Sequence, residues 1–574
     1  MEKTYIVTLA KKDDLEGFYS DMESNGFRIA FKRPLSRNTH YYMTEEQAET
    51  LRNDPRVLSV ELPLEERGIV AKPCNYNSYT LSGNFTKSGS NASAASALRQ
   101  WGQLHVAGDD TQRRKGTWGT GSTLNVSDSV SVFNDGTNVD VVICDDPVST
   151  DPEEYYSLTT ASTRYVEYDW YTELNTYVGS LDTDGETLPT PPYANYFTNA
   201  NNTESHGTHV AGTAVGAYYG WARNANLYTF QVLDNDSGTG TAAPTELQFD
   251  YLRAFHRYKP INSLTGKRNP TITNHSWSYS YDLNFIFGYT TSVPLADIVN
   301  IVFNGVTYNA SNPGPSGWTL NGIETDFGFQ ADQLRIPARV ASIDADIEDA
   351  IDDGVVIIAA AANENYYIER DTTGASYNSS VSIENSQGTA FTMPLHRGPT
   401  PGATKGVICV GAINTDTDFR RAPYTNYGPR IDVFAPGTLI HSSYGTDGTV
   451  DEKYEDLANA TYVNYFQSIS GTSMASPQVC GVIACVASGK DRFTQGDAIT
   501  FIEKFSKTGD MTFDSGDGSF ADPTAQKNSP NRELQCVAPK STGLTDASVV
   551  GRRESDITDT GNRQVYPRTK TLYG

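Results

Sequence analysis

Basic residues are scarce in this chain: 44 lysines and arginines stand against 69 aspartates and glutamates, a formal net charge of −25 over 574 residues. Nucleic acid held through its phosphates needs a dense positive surface, so this balance argues against that class of partner and implies a well-solvated acidic exterior. Long apolar runs are missing too. A bilayer-crossing helix takes about 20 consecutive apolar residues, no such run occurs, and no membrane-spanning helix is expected. The opening MEKTYIVTLAKKDD has no apolar stretch behind Lys3, which reads as a start without a secretory signal and points to cytoplasmic synthesis. Cysteine is sparse. Of the six, Cys144 and Cys409 lie in apolar strand-like runs and Cys480 and Cys485 share one expected helix, a distribution of buried thiols suited to a reducing compartment.

What is present fits a folded protein, since 38% hydrophobic and 20% charged residues supply enough apolar area to offset chain entropy. Residues 1–67 read as a small α+β unit. TYIVTLA, FRIAFKR and RVLSVEL are its strands, and TEEQAETLRNDP is a helix with Thr44 and Gln47 in capping-box spacing and Pro55 at its end. Residues 68–100 turn rich in Ser, Asn and Gly, as a linker does. From 101 to 490, the strand candidates VDVVIC, NLYTFQVL, PTITNHSW, GVVIIAAA, GVICVGAI and IDVFAPG alternate with helical stretches such as HGTHVAGTAVGAYYG and SMASPQVCGVIACVAS. Such alternation predicts an α/β domain on a doubly wound, mostly parallel sheet. The long polar insertions at 304–327, 366–401 and 442–466 are expected as surface loops, and 491–574 as a C-terminal extension with one helix, QGDAITFIEKFS.

Four short stretches carry chemistry. Ser473 of SISGTSMASPQVCGV precedes Pro477 in an expected first helical turn, where free amides and the helix dipole favour developing negative charge. Alone, such a serine is a helix cap; a nucleophile needs a base and an orienting acid. His206 of ESHGTHVAGTAVG opens a helix and is the candidate base. His209, three residues on, leaves a metal pair as the lesser alternative, with Glu204 the nearby third ligand. The acid lies at the carboxyl end of VDVVICDD, where open α/β sheets place functional groups; Asp145 follows the apolar run directly, and strand alternation lets only one of Asp145 and Asp146 face a cleft. Asn363, after VVIIAAAAN, is either a turn residue or an amide donor to an oxyanion.

In the chain order Asp, His, Asn, Ser these stretches resemble the subtilisin family of serine peptidases, the subtilases. HGTHVAGT and GTSMASPQV are close to the family's signature text, VDVVICDD, AAAANEN and IDVFAPG are similar more loosely, and the likeness runs from Trp101 to Ser488. The resemblance implies an endopeptidase with Ser473 as nucleophile, His206 as general base and acid, Asp145 orienting the imidazole, and Asn363 with the Ser473 amide as oxyanion hole. It implies a substrate laid as an added strand along TNHSWSYS, with Ser276, Trp277 and Ser278 on one wall of the primary pocket and Ala360, Ala361 and Ala362 on the other. The front segment is similar to the family's inhibitory propeptide, implying a zymogen that cuts itself between Arg67 and Trp101.

No cofactor is required for this chemistry. Calcium is common in the family, and Asp182-Thr183-Asp184-Gly185-Glu186 offers hard ligands for a structural ion. Three departures stand out: Ala362 occupies a family glycine position, Ser278 and Tyr279 replace glycines, and Asp146-Pro147 replaces a small residue and glycine. The first two narrow the pocket toward small or medium residues. RYVEYDWYTE and GWARNANLYTF are similar to subtilases encoded by large phages, which implies a virion or an infected cell as the setting. The competing class is a non-catalytic structural or binding protein, such as a virion component, that keeps the fold.

Overall fold

The computed structural model describes residues 2–11, 14–31, 38–62, 79–86, 101–108, 125–149, 152–157, 162–178, 206–233, 242–243, 247–282, 286–289, 293–327, 335–414, 420–445, 465–511 and 529–536. Two compact units divide the chain, Met1–Asn75 and Tyr76–Gly574. The first contains β1 Lys3–Leu9, α1 Leu15–Ser24, β2 Arg28–Phe31, β3 Asn38–Met43, α2 Glu45–Arg52 and β4 Val57–Glu61. Its strands form an antiparallel sheet in the order β2-β3-β1-β4. Alternation along β1 buries Tyr5, Val7 and Leu9 against Phe18 and Met22 of α1, which gives the unit a core of its own. The capping box is present: Gln47 N donates to Thr44 Oγ1 at 3.3 Å and Thr44 N to Gln47 Oε1 at 2.9 Å.

The second unit runs β5 Tyr79–Thr86, α3 Trp101–Ala107, β6 Asn125–Val132, β7 Asp140–Asp145, α4 Trp170–Val178, α5 His206–Val215, β8 Asn226–Gln231, α6 Gln248–Tyr258, β9 Thr271–His275 and β10 Ser280–Asp282. It continues with β11 Ile298–Phe303, β12 Val306–Tyr308, α7 Leu320–Phe327, β13 Arg335–Pro337, α8 Ala341–Asp352, β14 Val356–Ala360, β15 Ser380–Asn385 and β16 Ala390–Pro394. The remainder is β17 Ile408–Ile413, β18 Val433–Pro436, β19 Ile440–Tyr444, β20 Tyr465–Ile469, α9 Thr472–Ala487, α10 Gln495–Phe505, β21 Lys507–Thr508 and β22 Arg532–Glu533.

All six strand candidates join one eight-stranded sheet of order β21-β22-β18-β17-β14-β9-β7-β8, parallel from β22 to β8. This is the doubly wound, mostly parallel sheet expected. Val141 and Ile143 of β7 pack into the core that α5, α9 and α10 share, while Val142 and Cys144 pack with α4, α6 and α8 on the other face. Burial on both faces is why these strands read as continuous apolar runs. Strand order reverses at β7, with β8 on one side and the later strands on the other, so the crevice beyond the carboxyl ends of β7 and β9 is the switch point where such sheets bind ligands.

Two of the three insertions differ from the loops expected, and residues 446–464 of the third lie outside the described residues. Residues 298–308 and 380–394 build a second, antiparallel sheet of order β12-β11-β15-β16, and 320–327 is helical. The expected linker contains β5, paired along its length with β6. In the expected C-terminal extension, β22 closes the main sheet beside β18, Leu534 and Cys536 are fully buried, and His105 Nε2 of α3 pairs with Glu533 Oε2 at 3.0 Å. No helix among the described residues is long and apolar enough to cross a membrane.

Candidate active site

Strand parity selects the acid. Asp145 shares the alternation of Val141 and Ile143, which face α5 and α9, so its side chain is aimed at the helix that starts with His206. His206 Nδ1 donates to Asp145 Oδ1 at 2.7 Å, with Asp145 fully buried and the imidazole 37% exposed. A proton held on Nδ1 leaves Nε2 as the ring's acceptor, the tautomer a general base requires. Asp145 Oδ1 also accepts from Asp146 N at 2.9 Å, and Asp146 Oδ1 accepts from Gly207 N at 2.6 Å.

Ser473 is the second residue of α9. Pro477 therefore lies beyond the first turn expected for it, and its missing N–H leaves the Ser473 carbonyl without an intrahelical donor. Ser276 Oγ supplies one at 2.8 Å, and in return Ser473 Oγ donates to Ser276 O at 2.9 Å. Ser276 Oγ accepts from Asn274 Nδ2 at 2.9 Å, and Asn274 Oδ1 accepts from Ser476 Oγ at 2.7 Å, so the end of β9 is tied to the first turns of α9 by buried hydrogen bonds. Close approach of α9 to α5 depends on Gly481: a Cβ there would lie 2.4 Å from Ala214 O. Gly481 thus serves the packing of helix against helix.

Asn363 sits beside this turn. Its Oδ1 accepts from Thr472 N at 2.8 Å and Thr472 Oγ1 at 2.9 Å, which leaves Nδ2 as the available donor. Met474 N donates to Gly471 O, while Ser473 N–H has no partner among the described residues. A Cβ built on Gly471 would stand 3.6 Å from both Asn363 Nδ2 and Ser473 N. Two N–H donors with no partner among the described residues thus border one small volume at the start of α9, an arrangement able to stabilise an oxyanion.

Asn426 organises the Asn363 turn, and sequence reasoning missed it. Fully buried, it donates from Nδ2 to Ala361 O at 2.7 Å and from its amide to Ala362 O at 3.0 Å, and its Oδ1 accepts from Glu364 N and Tyr366 N. Of the expected pocket residues, Ala360, Ala361 and Ala362 are buried beside this turn and Ser276 is engaged with Ser473. Trp277 differs: its indole packs in the core with Cys144 and donates to Cys144 O at 2.9 Å, so only its backbone is left to border a pocket. Tyr279 is already paired through N and O with Thr400 and Ala338, which confines any added strand to the segment before it.

His209 is a core histidine. Its Nε2–H donates to Ile440 O at 2.8 Å and Gln467 O at 3.1 Å, and burial pushes its pKa down to about 3. Among the described residues one group of three potential metal ligands comes together, Asp145, Asp146 and His206, and it does not include His209. Glu204, the acidic segment 182–186 and most of the expected processing region lie outside the described residues. Cys144, Cys409, Cys480, Cys485 and Cys536 are free and buried.

A family model described as the Subtilase family matches residues 136–518. Subtilisin-like protease 2 of Pseudogymnoascus destructans is 26% identical over 294 residues, which are 51% of this chain and 45% of that protein. Alkaline serine exoprotease A of Vibrio alginolyticus is 23% identical over 313 residues, 54% of this chain and 37% of that protein. A solved structure of a cold adapted subtilisin-like serine proteinase is 18% identical, with a TM-score of 0.40 over 71% of this chain and 91% of that one. The matched part spans less than half the length of these two curated relatives.

Proposed function

The chain belongs to the subtilase family, and from that premise we propose that it is a serine endopeptidase made as a zymogen. The observation that carries the reading is the Asp145–His206 hydrogen bond at 2.7 Å, formed at the sheet's switch point. Rotation of Ser473 about Cα–Cβ exchanges its resting bond to Ser276 O for one to His206 Nε2; such bonds commonly tighten only with substrate bound. Ser473 Oγ then attacks the scissile carbonyl carbon as its proton passes to Nε2, and the oxyanion is met by Ser473 N–H and Asn363 Nδ2. Collapse breaks the C–N bond, with the His206 proton leaving on the amine. Water repeats the sequence on the acyl-serine and restores the enzyme. Asp145 keeps the imidazole oriented and offsets its transient positive charge.

The substrate is a protein segment laid beside the chain that follows β9, in a pocket narrowed by Ser278 and Ala362. The zymogen part of the proposal draws on the separate core of the first unit, which folds around its own sheet as an intramolecular inhibitor would. Two measurements test the reading together. A fluorophosphonate should label Ser473 in the intact chain and fail to label His206→Ala, and intact mass should show the front segment lost from the wild type but kept by Ser473→Ala. Absence of labelling at any stage of processing would sink the endopeptidase assignment; labelling without mass loss would sink only the self-processing.

A further inference from the structure

An oxyanion donor acts only if it is held to within about 0.5 Å of its place, and Asn363 follows a residue that would not hold it unaided. Ala362 has a φ of +74°, left-handed backbone that an alanine disfavours. The restraint comes from residues 424–427. Tyr424 O accepts from Asn365 N at 2.8 Å, Tyr427 N donates to Tyr366 O at 2.9 Å, and Asn426 lies between them. Its carboxamide is saturated: Nδ2 donates to Ala361 O at 2.7 Å and Glu364 Oε2 at 2.8 Å, and Oδ1 accepts from Tyr366 N at 2.8 Å and Glu364 N at 3.1 Å. With its own amide on Ala362 O at 3.0 Å, Asn426 reaches both sides of Asn363. Of residues 361–366, Asn363 alone has no bond to 424–427 among the described residues; its Oδ1 is bonded across to Thr472 N and Oγ1 of α9 instead. The clamp stands on the main sheet. Thr425 Oγ1 accepts from Ala412 N of β17 at 3.0 Å and donates to Asn426 O at 3.1 Å, while Ala361 N donates to Val410 O of the same strand at 2.9 Å.

We propose that Asn426 is a positioning residue for the oxyanion donor: its carboxamide holds the left-handed turn at Ala362 and thereby sets Asn363 Nδ2 beside Ser473 N. The catalytic consequence rests on the peptidase reading; the geometry does not. Asn426 is fully buried, out of reach of a substrate, so its part is played through Asn363. No side chain of similar size replaces it. An ionised aspartate accepts but does not donate, leucine does neither, and a serine is too short to meet both sides of the turn at once. Without the carboxamide, Ala361 O and Tyr366 N lose partners in a buried place, and the strain at Ala362 is free to relax by moving Asn363.

The test is a double-mutant cycle on protein expressed from the full chain, with an alanine-terminated peptide p-nitroanilide as substrate. Asn426→Ser should lower kcat by about 10- to 100-fold with KM changed less than about twofold, a smaller loss than the roughly 10²- to 10³-fold of Asn363→Ala. In the Asn363→Ala background the same substitution should cost less than about threefold, because no amide is left for it to position. Equal losses in both backgrounds, or a rise in KM at constant kcat, would overturn the proposal, since a residue that merely holds the loop together acts whether or not residue 363 carries an amide. Should Asn426→Ser fail to melt cooperatively, all members of the cycle carry Ala362→Gly, which relieves the left-handed strain without replacing the lost donors. Amide hydrogen exchange at Thr472, bonded to Asn363 Oδ1 at 2.8 Å, reports the geometry without any turnover. In a Ser473→Ala background it should quicken by about fivefold or more on Asn426→Ser. An inactive parent in which Thr472 exchange still quickens refutes the peptidase reading alone. An active parent with equal losses in both backgrounds refutes the role of Asn426 alone, and an inactive parent with unchanged exchange refutes both.

Discussion

Ala362 holds φ at +74°, a left-handed conformation that a side chain disfavours, immediately before Asn363. Its carbonyl is fixed by Asn426 and its neighbour Ala361 is bonded to β17 through Val410 O, so the surrounding contacts impose the strain. Ala362→Gly should raise stability by about 1 kcal/mol, read as a higher denaturation midpoint at unchanged m-value in a Ser473→Ala background; a lower midpoint would show that the methyl's packing outweighs the strain. Sequence alone marked Ala362 as a departure in a pocket wall, yet its conformation depends on Asn426, which is remote in the chain and sits in an unremarkable loop, YTNYG. Asp145, His206 and Ser473 were legible as candidates because each lies at the end of a strongly patterned element. Asn426 was not, since a buried asparagine in a loop has no local signature.

Between elements, the 3-10 turn Glu153–Tyr155 meets the segment that follows α5 through one buried carboxyl group. Glu154 Oε2 accepts from Tyr218 N at 3.0 Å and Tyr219 N at 3.4 Å, and burial pushes its pKa from 4.5 up to about 7 despite those bonds and nearby Arg164. Since the folded value lies above the unfolded one, the native state binds the extra proton between these limits, and stability falls as pH rises through this window. The contribution is on the order of 3 kcal/mol. Glu154→Gln keeps the acceptor and should flatten the decline, so denaturation at pH 5 and pH 8 should show a smaller loss for the variant; parallel curves would contradict the assignment. The accessory sheet shows what sequence reading passed over at this scale. Asn304 and Gly305, both at positive φ, form the tight turn between β11 and β12, and Asn-Gly between IVF and VTY is itself a hairpin signal. Counting 304–327 as one polar insertion placed its boundary inside that hairpin.

Across the whole molecule, the fold class was readable because parallel strands buried on both faces must be continuous apolar runs, whereas its closure was not. β22 is two residues long, too short for periodicity, and only tertiary pairing defines it. A chain ending at Met511 lacks Leu534, Cys536 and the partner of buried His105, and should lose cooperative thermal unfolding; one ending at Lys540 keeps every described contact and should melt with the full-length chain. Equal melting of both would show that β22 is dispensable. The position of that strand also has a bearing on synthesis. Until residues 532–536 have been made, the pairing of β22 with β18 and the bond from Cys536 N to Val106 O of α3 cannot form. The eight-stranded sheet is thus completed by the strand that translation supplies last.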